Sequence, residues 1–381
     1  MRIFNRLADR FAAVRPLTPG TFQRRSIAAE GAPYRVHLRL GEDGSGLLIL
    51  NASTVLQLNP SAAEWAFHFV QGTPPDRAAA EVAARYRISK RVAREEYEDF
   101  VEKIESLLGS PDLDPSMVLQ LDRAVPHSAV LTAPLRLDCA LTYRLRPGVT
   151  PDAAVTSRVT RELTTDEWGV VLDKAWRAGI PHVTFTGGEA TLREDLADLI
   201  SRAEQNGQVC GLVTDGIRLS DRPYLETLLQ TGLDHVLLVL RPEDPLSWNA
   251  LGALVEADVF LTAHLTLGPE TVGGGRGFLE RMAKVGVKNL SLSASDPRLT
   301  NTMVDLRSVA SEQGLLLRWD LPVPFSELNP IAAETAEENV PAGAGTAWLY
   351  VEPDGDVLRS PRNTRDRLGN LLTDDWNSLK Y

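Results

Sequence analysis

Between residues 135 and 319 the chain alternates short aliphatic, β-branched runs with longer amphipathic stretches, and nothing else in the sequence constrains the fold as tightly. The predicted strands are Leu135–Thr142, His182–Thr186, Val209–Thr214, His235–Leu240, Val259–Thr266 and Asn289–Leu292, with another near Leu315–Trp319. Between them lie helical patterns at Asp166–Ala178, Arg193–Gln205, Pro223–Thr231, Leu246–Glu256 and Gly277–Val285. Thr164 and Glu167 have the spacing of a capping box, and Gly207, Gly232 and Gly286 stand where helices end. Six successive βα units predict an α/β fold, a partial parallel (β/α)6-type barrel, with its ligand site at the carboxyl ends of the strands.

Ahead of the barrel the periodicity differs. Tyr34–Leu40, Leu47–Leu50 and Thr54–Leu58 alternate as three short antiparallel strands, the first two joined across a Gly-rich turn at 41–46. Asn59-Pro60, Thr73-Pro74-Pro75 and Ser89 then open three helices, the last with an apolar stripe through Val92, Phe100, Val101, Ile104, Leu107 and Leu108. Three strands and three helices in so few residues make a small α+β winged-helix unit. Residues 1–15 place Ile3, Phe4, Leu7, Phe11 and Val14 at helical spacing among Arg2, Arg6, Arg10 and Arg15, which fits either a packed terminal helix or one lying on a membrane surface. The predicted division is 1–32, an N-terminal helix and arm; 33–110, the winged helix; 111–134, a Pro-bearing linker; 135–325, the barrel; and 326–381, a C-terminal extension.

Composition narrows the chemistry. Cys139 and Cys210 are the only cysteines, which excludes a disulfide scaffold and a four-thiolate zinc site. The net charge of −11 argues against a nucleic-acid partner. It is unevenly spread, with 15 basic and 13 acidic residues in the first 110 and 25 against 38 in the rest. No apolar run reaches the ~20 residues of a membrane span and no signal peptide is evident, so cytoplasmic residence is expected. The glycines of Val272–Gly277 lack a following Lys-Ser/Thr and read as a loop, and the scattered histidines read as structural. Asp138, Glu189, Asp215 and Arg241 are placed to approach the barrel mouth.

Two stretches carry a family resemblance. "LQLNPSAAEWAFHFVQGTPPDRAAAEVAARY" and the helix after it resemble the pyrroloquinoline-quinone biosynthesis D protein, whose winged-helix domain recognises leader peptides. That resemblance implies an extended peptide added to the sheet edge, here Thr54, Val55, Leu56 and Leu58, against a wall of Val92, Phe100 and Ile104. The pattern equally suits a domain that docks on its own body.

"LTTDEWGVVLDKAWRAGIPHVTFTGGEATLREDL" resembles the radical S-adenosylmethionine (radical SAM) superfamily, as do "GLVTDGIRL", "GLDHVLLVLRPEDP" and "GVKNLSLSASDP". The resemblance assigns Gly187, Gly188 and Glu189 to the methionine amino group of S-adenosylmethionine. The superfamily's CxxxCxxC slots fall on Leu145, Val149 and Asp152, none of which can replace a thiolate. The C-terminal stretch resembles the SPASM or twitch extension, with the Glu352–Gly355 turn, Gly369-Asn370 and Trp376 kept, and with Ala342 and Ser360 near its cysteine sites. The resulting expectation is a radical-SAM-like pseudoenzyme with no metal, no iron–sulfur cluster and no cofactor, acting as a peptide- or protein-binding scaffold, alone or in a larger assembly. The alternative is an enzyme that binds S-adenosylmethionine or another small molecule at the barrel mouth and performs non-radical chemistry.

Overall fold

The alternation Val36, Leu38, Leu40 and the pair Leu48 and Leu50 bury one face of a small antiparallel sheet, and three helices cover it. The computed structural model describes residues 15–26, 34–51, 54–109, 118, 131, 133–147, 159–269, 271–294, 297–317, 343–361 and 367–379. It divides into two compact units: residues up to 132 with 177–181, and the remainder. Residues 1–14, most of the linker, Val149, Asp152 and Ala342 lie outside the described residues.

In the first unit, β1 (Gly20–Ser26), β2 (Tyr34–Leu40), β3 (Gly46–Leu50) and β4 (Thr54–Leu58) form one sheet in chain order, antiparallel throughout. The sequence reading gave three strands and an arm; β1 is the addition. Its only large apolar side chain, Phe22, packs edge-on against Phe67 at 5.0 Å, while Arg24 donates to the Phe69 carbonyl at 2.9 Å. The opposite edge, β4, has no strand beyond it among the described residues.

Helices α1 (Pro60–Val70), α2 (Pro75–Tyr86) and α3 (Lys90–Gly109) follow. Asn59 caps α1 by accepting from the Ala62 amide at 2.9 Å, and Pro60 stands at its first turn, where a missing N–H costs nothing. The apolar stripe of α3 closes the core through Ala93, Tyr97, Phe100, Ile104, Leu107 and Leu108. Phe100 is 1% exposed and Ile104 0%, so both belong to the core and cannot form a groove wall. Their spacing of four marks the helix face that meets the sheet.

The second unit is a ten-stranded sheet. Its strands are β5 (Arg136–Thr142), β6 (His182–Gly187), β7 (Val209–Thr214), β8 (Leu233–Val239), β9 (Phe260–Leu267), β10 (Asn289–Ala294) and β11 (Leu316–Leu317), with β12 (Trp348–Val351), β13 (Asp356–Leu358) and β14 (Arg367–Asn370). β5 to β11 run parallel as neighbours in chain order. Helices α4 (Thr165–Arg177), α5 (Leu196–Asn206), α6 (Arg222–Gln230), α7 (Pro245–Glu256), α8 (Gly275–Val285) and α9 (Thr300–Glu312) make the connections, giving the partial (β/α)6 barrel. The capping box is formed: Glu167 accepts from the Thr164 amide at 2.9 Å and donates its own amide to the Thr164 hydroxyl at 3.3 Å. β12 joins β5 in parallel, and β13 and β14 fold back antiparallel, so the C-terminal residues extend the barrel sheet.

The sheet face bearing Asp138, Thr184, Thr262, His264, Ser291 and Ser293 is polar rather than aliphatic. Buried His264 lies between the hydroxyls of Ser291 and Ser293, at 2.9 and 3.0 Å. His182 and His235 meet ring nitrogen to ring nitrogen at 2.5 Å, and burial depresses both pKa values, that of His235 to about 4.

Because Phe100 is core, its replacement by alanine should cost the N-terminal unit about 3–5 kcal/mol. Denaturant unfolding followed by hydrogen exchange should show that loss in residues 34–109 and leave the barrel strands unchanged. A normal unfolding curve would place Phe100 on the surface instead.

Candidate cofactor site at the carboxyl ends of β6 and β7

The residues the sequence singled out, Gly187, Gly188 and Glu189, end β6 and lead into a 3-10 turn at Ala190–Leu192. The glycines serve a close approach of chain to chain. Gly187 has φ +130, and a Cβ there would come 2.1 Å from the Thr142 carbonyl oxygen; one on Gly188 would come 2.3 Å from that of Arg144. In their absence the Gly188 amide donates to Thr142 at 2.7 Å and the Glu189 amide to Arg144 at 2.9 Å, fastening the turn to the end of β5.

Glu189 is 3% exposed and tied on several sides. Its Oε1 accepts from the Thr191 amide at 3.0 Å, the Thr191 hydroxyl at 2.5 Å and the Thr214 hydroxyl at 2.8 Å. Its Oε2 accepts from the Asp215 amide at 2.9 Å. Oε1 thus takes three donors and Oε2 one, so Oε2 is the oxygen with room for a further donor. Burial, and then the charge of Asp215, push the Glu189 carboxyl up to about 7.

Asp215 brings cations to the same place. Arg146 reaches its two oxygens at 3.3 and 3.1 Å and the Thr191 hydroxyl at 3.3 Å; Arg241 lies 3.5 Å away. Two carboxylates and two guanidiniums thus converge where β5 to β8 end. Glu189, Asp215 and Arg241 come together as the sequence suggested. Asp138 does not, being paired with Arg136 at 2.8 Å. Arg146 was missed, since a lone arginine after a strand carries no spacing signal; only its position next to the Leu145 slot could have marked it.

Residues 143–240 match the sequence profile of the radical SAM superfamily. Among similar proteins is the PqqA peptide cyclase of Streptomyces rochei, 30% identical over 231 residues, which are 52% of this chain and 61% of that protein. The PqqA peptide cyclase of Granulibacter bethesdensis is 30% identical over 131 residues, 34% of this chain and 35% of its own length. The chain therefore spans less than two thirds of these relatives. Among solved structures, Streptococcus suis SuiB bound to S-adenosylmethionine has the same fold, with TM-score 0.58, 14% identity, and coverage of 90% of this chain and 85% of that one. SuiB bound to precursor peptide SuiA matches with TM-score 0.58 and 12% identity, over 93% and 87%.

These similarities correct one expectation from the sequence, that of a chain with no cofactor. Residues 143–240 match a radical SAM profile, and a protein of the same fold is known bound to S-adenosylmethionine. The site fits such a ligand: the free position on Glu189 Oε2 suits an ammonium group, and Arg146 and Arg241 suit a carboxylate. A cluster held by three thiolates of this chain fits less well. Leu145 packs against the cluster of Ala140, Tyr143, Tyr350 and Leu358, and Cys139 and Cys210 are buried within β5 and β7, where burial raises the Cys139 thiol. No step below passes through a cluster.

Two outcomes are expected. Gly188→Ala should destabilise the barrel by more than about 2 kcal/mol, visible as a lower melting temperature, because backbone cannot retreat from a Cβ. In calorimetric titrations, affinity for S-adenosylmethionine should rise between about pH 6 and about pH 7.5 as Glu189 ionises, and Glu189→Gln should flatten the profile. A pH-independent wild-type affinity would remove Glu189 from the site.

Proposed function

We propose that this chain binds S-adenosylmethionine at Gly187, Gly188 and Glu189 and a peptide along the outer edge of β4, serving peptide maturation as a binding subunit, a pseudoenzyme in radical chemistry. In this reading residues 33–110 recognise the peptide, 135–325 hold the cofactor, 326–381 extend the barrel sheet, and the protein works in the cytoplasm. Among the described residues no helix is long and apolar enough to cross a membrane.

The observation that carries the cofactor half is the buried Glu189 with its unused acceptor position beside two arginines. The peptide half rests on β4. Val55 is 40% exposed, Thr54 half-buried, and Leu56 and Leu58 buried, so the edge offers main-chain groups and an outward apolar side chain to an added strand. Val92 on α3 remains available, whereas Phe100 and Ile104 do not. The PqqA peptide cyclases and the SuiB–SuiA complex favour a peptide over other partners. The pseudoenzyme half rests on Leu145 and on the two buried cysteines.

Anaerobic treatment with iron and sulfide tests that last point. The proposal expects no broad absorption near ~400 nm and no cleavage of S-adenosylmethionine under a strong reductant, while calorimetric binding persists. About four irons per chain with turnover would make the protein an active radical enzyme.

A further inference from the structure

The N-terminal unit carries a feature that neither cofactor nor strand addition uses. A groove with a volume of about 430 Å³ runs along α3 beside the start of α2, lined by Pro75, Tyr97, Val101, Glu98, Glu102 and Glu105, with Ser106 at one end. Its floor is apolar or aromatic: the Tyr97 ring is buried, its hydroxyl donating to the Thr73 carbonyl at 3.1 Å, and Val101 is half-buried. Its rim is acidic. Glu98 is matched by Arg94 at 2.8 Å, whereas Glu102 and Glu105 are exposed and form no ion pair among the described residues. An apolar floor beside two uncompensated carboxylates calls for a segment that is both cationic and amphipathic.

We propose that the occupant is the chain's own N-terminal segment, residues 1–14. Ile3, Phe4, Leu7, Phe11 and Val14 supply an apolar face at helical spacing, and Arg2, Arg6 and Arg10 the opposite charge. The segment begins in the right neighbourhood, because the Arg15 carbonyl accepts from Arg85, near the far end of α2, at 2.8 Å. Fourteen helical residues span about 21 Å, against about 18 Å for the length of α2, so the segment can run from Arg85 to the groove at Pro75. The linker after α3 is the other nearby candidate, but Asp112 and Asp114 give its first residues the same sign as the rim. Charge complementarity selects the N-terminus. The groove and the β4 edge are separate surfaces, so this inference stands whether or not a peptide adds to β4.

The test is binding in trans. A fluorescein-labelled peptide of residues 1–15 is titrated into the full chain and into a variant lacking residues 2–14. The shortened chain should bind it, with affinity falling as salt rises and about tenfold weaker in a Glu102→Lys/Glu105→Lys variant. A Glu226→Lys/Glu280→Lys control, altering the same net charge on the barrel unit, should bind normally. The full chain should bind at least about tenfold more weakly than the shortened one, because its own segment competes. In the full chain the Glu102/Glu105 reversal should also speed tryptic cleavage after Arg6 and Arg10. Equal binding by full and shortened chains, indifference to the reversal, or partition of the peptide to anionic vesicles with none to the groove would each overturn the proposal.

Discussion

Everything at the barrel mouth depends on one buried carboxylate. Glu189 draws the Thr191 amide and hydroxyl, the Thr214 hydroxyl and the Asp215 amide onto its two oxygens, and so locks the end of β6, the turn after it and the end of β7 into one arrangement. Out of water such bonds are strong, and leaving any of those donors unpaired would cost about 1–3 kcal/mol. The arrangement has an electrostatic consequence. Glu189 sits near a second carboxylate, its ionisation moves toward neutrality, and Arg146 and Arg241 gather at Asp215. The segment after β5 thus sends Arg146 to the end of β7.

The glycine pair shows how packing and chemistry share one motif. Its glycines are required where β6 passes the carbonyls of Thr142 and Arg144, and that approach sets the height at which Glu189 stands. The position of Glu189 is therefore fixed by a contact of chain with chain. In the N-terminal unit the core takes Phe100 and Ile104 whole, which leaves the β4 edge and the flanks of α3 as its accessible surfaces.

Much of this was legible in the sequence because its signals are local. The βα alternation, the Thr164–Glu167 capping box and the glycines closing α5 and α8, with φ +89 at Gly207 and +105 at Gly286, each follow from a few adjacent residues. What escaped is tertiary. β1 offers only Phe22 as an apolar signal and exists because β2 has an edge to pair with. The polar run Thr300–Glu312 becomes α9 by packing Met303, Leu306, Val309 and Ala310. β12 belongs to the barrel sheet through pairing with residues more than 200 positions earlier. At the site, Gly187, Gly188 and Glu189 stood out by their turn chemistry, whereas Arg146 acquires meaning only when folding brings it to Asp215. Phe100 and Ile104 looked suited to a groove because periodicity marks an apolar face without saying what covers it.

Amide hydrogen exchange on the full chain, with and without S-adenosylmethionine, bears most directly on the claim that Glu189 organises the ligand site. The account predicts slower exchange on ligand addition across residues 187–193 and 214–217, with residues 34–109 unchanged. Protection confined to the N-terminal unit, or none at saturating ligand, would contradict it.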